Sequence, residues 1–208
     1  MADGPKHFSM FREFTLADAL TLGNAACGMG AILLCLRALA DENNALLWGA
    51  VALLPVAFVL DALDGWVARK LRRGSRLGAD LDSLADIVSF GVAPAVLMHT
   101  LGARGLWDGL VLIYFVCCGI SRLARFNVTA AELADATTGK VPYFEGAPIP
   151  SSLLIVALLA VALWQDAIGG ALWGGVWTLG PGELHPIALL YALSGSAMIS
   201  GTLRIPKL

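Results

Sequence analysis

Apolar residues in this chain fall in long runs, separated by a few short polar stretches. A helix needs roughly 20 mainly apolar residues to cross a bilayer, and six stretches approach that length: 19–40, 45–66, 84–102, 106–124, 149–165 and 184–203. Gly, Pro or a polar residue interrupts several of them, which blurs their ends by a few positions. Helices are expected because lipid offers no water to satisfy bare backbone groups. The pattern therefore predicts an all-α integral membrane protein with six transmembrane helices. Ahead of the first run, "KHFSMFREFTLADAL" (6–20) sets Met10, Phe11, Phe14 and Ala17 at helical spacing, with Arg12 and Glu13 facing away. That stripe predicts an N-terminal amphipathic helix lying on the membrane surface. The chain divides into this amphipathic segment, 1–18, and a transmembrane domain, 19–208.

Composition strengthens the membrane assignment. The 208 residues are 58% hydrophobic and 14% charged, where a soluble domain carries about a quarter charged residues. The net charge of −2 says little about partners by itself, and nucleic acid is not expected among them. The distribution of charge says more. With six spans, Lys6, Arg12, Arg69, Lys70, Arg72, Arg73, Arg76, Arg122, Arg125, Lys140, Arg204 and Lys207 fall on one side, and only Arg37 and Arg104 towards the other. The positive-inside rule then puts both termini, the 67–83 connection and the 125–148 connection in the cytoplasm. The expected location is the cytoplasmic membrane of a bacterium or archaeon. Cys27, Cys35, Cys117 and Cys118 all lie inside apolar spans without C-x-x-C spacing, so they are expected to be packing thiols rather than zinc ligands or disulfides. The Gly-rich stretch 166–185, with Trp173 and Trp177, is expected to be an outer-face loop.

The polar stretch that does not fit simple topology is "DALDGWVARKLRRGSRLGADLDSLAD" (61–86). Asp61 and Asp64 stand three apart near the end of the second span, and Gly78, Asp82 and Asp86 are spaced by four at the start of the third. Residues three or four apart share a helix face, so each span offers a carboxylate pair on one stripe. A short turn makes the two spans antiparallel neighbours, and all four carboxylates can meet at one depth. Two carboxylates about 4 Å apart repel by roughly 4 kcal/mol at an effective dielectric near 20, and each charge within the bilayer costs a further ~3 kcal/mol. Such a cluster calls for divalent metal, and all-oxygen ligation favours Mg²⁺, Mn²⁺ or Ca²⁺ over zinc or copper. Four carboxylates suffice for two ions, the arrangement that clamps both oxygens in phosphoryl transfer. Gly65, Ala68 and Gly78 keep the acid-bearing faces narrow enough for a ligand to approach the backbone. Arg69 places a fixed cation at the rim, suited to phosphate. Interface snorkelling would explain any one of these Asp or Arg residues alone, and helix packing any one Gly or Ala; neither explains the full set at this spacing.

Asp61-x2-Asp64-Gly65-x2-Ala68-Arg69-x8-Gly78-x3-Asp82-x3-Asp86 resembles, at every fixed position, the signature of the CDP-alcohol phosphotransferases. The resemblance implies six transmembrane helices, a homodimer and a CDP-linked donor. It also implies a divalent-metal site, Mg²⁺ or Mn²⁺ and two ions, in which Asp61, Asp64 and Asp82 are the main ligands and Asp86 is the general base beside the metals. Further segments, "TLGNAACGMGAI" (21–32), "SFGVAPAVL" (89–97), "GISRLARFN" (119–127) and "YFEGAPIPSS" (143–152), resemble the serine-using branch of that family. That branch implies CDP-diacylglycerol and L-serine as substrates. The resemblance covers roughly 15–155; beyond that the chain matches only in being apolar.

The residues allow a partly independent reading of the acceptor. Arg122 and Arg125 lie one turn apart at the end of the fourth span and could hold a carboxylate or phosphate bidentately, or simply anchor the helix. Serine carries a carboxylate, whereas glycerol phosphate and inositol phosphate present phosphate. Pro148 and Pro150 stiffen the entry to the fifth span, as a pocket wall or a plain junction. Asn24, polar inside the first span, could bond the nucleotide or another helix. Three alternatives remain at this stage: the same chemistry on glycerol 3-phosphate, inositol phosphate or choline, a cation transporter using intramembrane acids, and a non-catalytic membrane scaffold, which would not need all four acids. A transporter predicts acids strung along a path or inverted repeats, and neither pattern is seen.

Overall fold

The computed structural model describes residues 15–71, 76–135, 143–201 and 204–206. The surface helix expected before Thr15 lies outside the described residues. Thr15 caps the first helix, α1 (Leu16–Ala40): its hydroxyl accepts from the Asp18 amide, and the Asp18 carboxylate accepts from the Thr15 amide. This reciprocal capping box starts α1 inside the stretch expected to be amphipathic. After a tight connection α2 (Ala45–Leu71), with Pro55 inside it, runs back along α1.

The next helix is built in three parts. α3 (Arg76–Asp86) is amphipathic and carries the second acid pair; a π-helical turn, Ile87–Val92, follows, and α4 (Ala93–Leu101) completes it. Pro94 has no amide hydrogen to donate back to the preceding turn, and the Ala93 amide reaches Val88 O, five residues back. The π turn sits where that ladder is interrupted, a frequent position for functional sites. In the 18-residue apolar stretch of the span Leu77–Leu101, 67% of residues are buried, against 22–28% in the corresponding stretches of the other three long helices. It is the central helix around which the others pack.

α5 (Leu106–Asp135) follows, then α6 (Ser152–Trp164) and α7 (Leu189–Ile199), the last two each led in by a 3-10 turn. Phe90, Leu97, Met98, Phe115, Leu159 and Tyr191 form the centre of the core. Tyr191 sets its ring edge-on to Phe115 and donates its hydroxyl to Pro94 O at 2.7 Å. Large apolar side chains such as Leu33, Val59, Ile113, Leu154 and Trp164 face outward, more than a water-soluble surface tolerates.

Among the described residues, four helices are long and apolar enough to cross a membrane: Leu16–Ala40, Ala45–Lys70, Leu77–Leu101 and Leu106–Val128. The fifth and sixth expected spans appear as shorter apolar helices, Ile149–Trp164 and Pro186–Ile199, because prolines begin both and Gly-rich chain follows the first. Among the described residues, two short ribbons also interrupt an otherwise helical fold. β2 (Trp177–Leu179) and β3 (Gly182–Leu184) form a hairpin within the stretch expected to be a loop. β1 (Tyr143–Glu145) pairs antiparallel with β4 (Arg204–Pro206), tying the chain's end to the approach to α6. Gly146, at φ +76°, lies so close to Met198 O that a side chain would not fit.

Asp108 and His185, 0% and 4% exposed, are held together at the end of α5 remote from the acid pairs. The Asp108 carboxylate accepts from the His185 amide and bonds His185 Nδ1, both at 2.7 Å, and also accepts from the Gly105 amide. The four cysteines are free thiols; Cys35 and Cys118 are buried, whereas Cys117 is exposed on the apolar surface rather than packed inside.

Candidate active site

α2 and α3 are joined by only four intervening positions, 72–75, so the end of one lies beside the start of the other. The spacing expected from the sequence is realised on their facing surfaces. One carboxylate oxygen each from Asp61, Asp64 and Asp82 lie within 4.8 Å of one another. Asp86, one turn beyond Asp82, faces Asp61 across the same seam. Asp64 and Asp86 are buried, and Asp61 and Asp82 partly so. Oδ1 of Asp82 is buried without a hydrogen-bond partner among the described residues. An orphaned carboxylate oxygen amid two other carboxylates is a costly arrangement for the protein alone, and a donor set of this kind fits a hard divalent cation.

The small residues and cations surround this cluster unevenly. Arg69 folds back so that its guanidinium lies 3.4 Å from where a Cβ on Gly65 would be. It therefore crosses the face that Gly65 leaves open, and is itself exposed. Ala68 and Gly78 are half-buried on the same two helices. Arg122, on α5, is half-buried and within electrostatic range of Asp86, with its guanidinium 5.7 Å from the Phe126 ring centroid. Arg125 is exposed one turn further on, and among the described residues no hydrogen bond or ion pair joins it to the acids. The structure thus brings Arg122, rather than the pair, towards the site.

Asn24 is fully buried and bonds another helix: its Nδ2 donates to Asp86 Oδ1 at 3.2 Å. Sequence reasoning missed its neighbours. The Thr21 hydroxyl, one turn earlier on α1, donates to Asp64 Oδ2 at 2.6 Å, and the Ser89 hydroxyl in the π turn donates to Asn24 O at 2.8 Å. On the α5 side, Asn127 donates to Asp80 Oδ1 and accepts from Ser83, which links α3 to α5 beside the cluster. The available signal was a Thr and an Asn at i,i+3 inside an apolar span, a polar stripe that needs a partner in lipid.

A helical membrane-type bundle with a metal-ready carboxylate cluster on two antiparallel helix ends is the class that fold and site define. The chain belongs to the CDP-alcohol phosphatidyltransferase family, whose sequence model matches residues 14–180. It is 41% identical over 203 residues to the CDP-diacylglycerol–serine O-phosphatidyltransferase of Saccharomyces cerevisiae, covering 97% of this chain and 74% of that protein. Proteins of the same name from Mycobacterium leprae and Methanocaldococcus jannaschii are 42% and 36% identical over 135 and 149 residues, or 62% and 72% of this chain. Those alignments span only 43% and 62% of the two relatives.

Proposed function

We propose that the protein transfers a phosphatidyl group from CDP-diacylglycerol to the hydroxyl of L-serine, giving phosphatidylserine and CMP. The observation that carries this reading is the convergence of Asp61, Asp64, Asp82 and Asp86 in a chain whose relatives are named for that reaction. Asp61, Asp64 and Asp82 would hold Mg²⁺ or Mn²⁺, in a site with room for two ions. Bound there, the metal supplies charge neutralisation on the pyrophosphate and on departing CMP.

The chain's own residues do the rest. Gly65, Ala68 and Gly78 leave space for the nucleotide against the backbone, and Arg69 takes a phosphate oxygen at the rim. Asp86, held at one oxygen by Asn24, accepts the serine hydroxyl proton with the other. The serine oxygen bonds to the phosphorus bearing diacylglycerol, and the bond from that phosphorus to CMP breaks. Arg122, within range of Asp86, is placed to meet the serine carboxylate; Arg125 serves as an outer cation on the same approach.

The lysines and arginines at this end of the bundle favour a cytoplasmic-facing site with six membrane-embedded helices, both termini inside and a surface helix ahead of Thr15. The exposed apolar faces leave room for a homodimer among membrane lipids. The test is CMP release by purified protein given CDP-diacylglycerol, Mn²⁺ or Mg²⁺ and a panel of alcohols. Serine alone should accelerate release and yield phosphatidylserine. Acceleration by glycerol 3-phosphate, inositol phosphate or choline instead would keep the chemistry and replace the acceptor.

A further inference from the structure

We propose that α1 is the positioning element of the acidic site: Thr21 and Asn24 fix the carboxylates of Asp64 and Asp86, and Ser89 locks Asn24. The two donors stand one turn apart on the buried stripe of α1 that also holds Asp18, Gly28, Ala31 and Cys35. Each reaches one acid from a different helix: Thr21 to Asp64 on α2 at 2.6 Å, Asn24 to Asp86 on α3 at 3.2 Å. A carboxylate held at one oxygen loses rotation about its Cβ–Cγ bond, so its other oxygen keeps one direction.

Local structure alone does not account for either residue. Thr21 Oγ1 lies 3.1 Å from Ala17 O, the ordinary partner for a threonine in an apolar helix. It has one proton, and the shorter contact, to a charged acceptor, is with Asp64. Asn24 Oδ1 is buried without a partner among the described residues, which destabilises the fold; what Asn24 contributes is its donor. Both donors are neutral. They orient the acids without cancelling the negative charge that would attract a cation, as an Arg or Lys in their place would. Ser89 bonds the Asn24 backbone carbonyl, and Gly28 lets the π turn approach closely enough for that bond.

This inference rests on the reading that the cluster holds a divalent metal. Its test is Mn²⁺ alone, titrated into the purified full-length protein in detergent, with free Mn²⁺ followed by electron paramagnetic resonance and no substrate present. Outer partners of metal ligands typically change affinity 10–100-fold. Thr21→Val, which keeps the shape and removes the donor, should weaken Mn²⁺ about 10-fold or more, and Thr21→Ser should stay within about 3-fold of wild type. Thr21→Cys, a poor donor, should behave as Val does and serves if the Val variant does not fold. Asn24→Leu should lower kcat at least about 10-fold with KM for serine little changed. Wild-type affinity in both Thr21→Val and Thr21→Cys overturns the inference, as does a Thr21→Ser loss equal to that of Val. Failure of the wild-type protein itself to bind Mn²⁺ overturns the metal reading, and this inference with it.

Discussion

Gly28→Ala offers a sharp test of how tightly α1 is set against the π turn. Three α1 glycines face neighbours of different kinds. A Cβ on Gly23 would meet Leu60 Cδ1 at 3.3 Å and one on Gly30 would meet Leu53 Cδ1 at 3.1 Å. Both are terminal methyls that can rotate aside. A Cβ on Gly28 would lie 2.7 Å from Ser89 Cα and closer still to its hydroxyl, and backbone cannot rotate aside. Ordinary contact begins near 3.4 Å, so α1 and the π turn must separate by about 0.7 Å. That movement stretches the Asn24–Asp86 bond from 3.2 Å beyond useful hydrogen-bonding range. Overpacking costs about 1–3 kcal/mol and loss of a bond to a charged group about 1.5–3 kcal/mol, while Gly to Ala in a helix returns about 1 kcal/mol. The net loss is roughly 1.5–5 kcal/mol, which lowers Tm by on the order of 10 °C in a chain of this size. A thiol-reactive dye reporting exposure of buried Cys35 and Cys118 during heating in detergent measures it. Gly23→Ala and Gly30→Ala should melt at or slightly above wild type. A Gly28→Ala protein that melts with those controls and keeps wild-type CMP release would refute the close packing and the positioning role of α1 together.

The remaining predictions concern the chemistry and the far end of the fold. Asp86→Asn should lower turnover by roughly 10²–10⁴-fold, the usual contribution of a general base; near-wild-type kcat in purified protein would remove Asp86 from that role. Chelation with EDTA should abolish CMP release, and added Mg²⁺ or Mn²⁺ should restore it; activity persisting in EDTA would contradict the metal site. His185→Ala removes the ring donor to Asp108 and should destabilise by about 1.5–3 kcal/mol while leaving Mn²⁺ affinity unchanged. A loss of Mn²⁺ binding in that variant would show that the two ends of the bundle are coupled.

Much of this architecture was legible because lipid imposes one rule on every span. Long apolar runs marked the helices, and the four long spans fall close to where hydropathy placed them. The acid pairs were legible for a different reason: Asp61 and Asp64, and Asp82 and Asp86, carry charges that apolar runs otherwise exclude. Thr21 and Ser89 were not legible as site residues, since small hydroxyls in a span usually bond their own backbone and leave no mark in hydropathy. The π turn escaped notice because its cause, Pro94, lies beyond it and reads simply as a proline within a span. The short ribbons depend on pairings between distant segments, 143–145 with 204–206, which local pattern does not contain. Arg122 and Arg125 looked equivalent in sequence; their one-turn offset along α5 leaves only Arg122 half-buried and near Asp86.

The central position of the α3–π–α4 helix explains how such a charged site can sit inside an apolar bundle. Asp82 and Asp86 belong to the most enclosed of the long helices, yet they occupy its first turns, where α2, α1 and α5 each offer a different kind of group. α2 contributes two more acids and the rim cation Arg69, α1 contributes neutral donors, and α5 contributes Arg122. No one neighbour neutralises the cluster, so its negative charge remains available while its geometry is held. The proposed reaction joins a donor anchored in lipid to an acceptor dissolved in water. Acids placed one to three turns inside the helix ends lie near both phases, where diacylglycerol can stay in the bilayer as its phosphate reaches the serine hydroxyl. Moving the acids to the ends of the helices would give water better access but take them away from the Thr21 and Asn24 donors that set their direction.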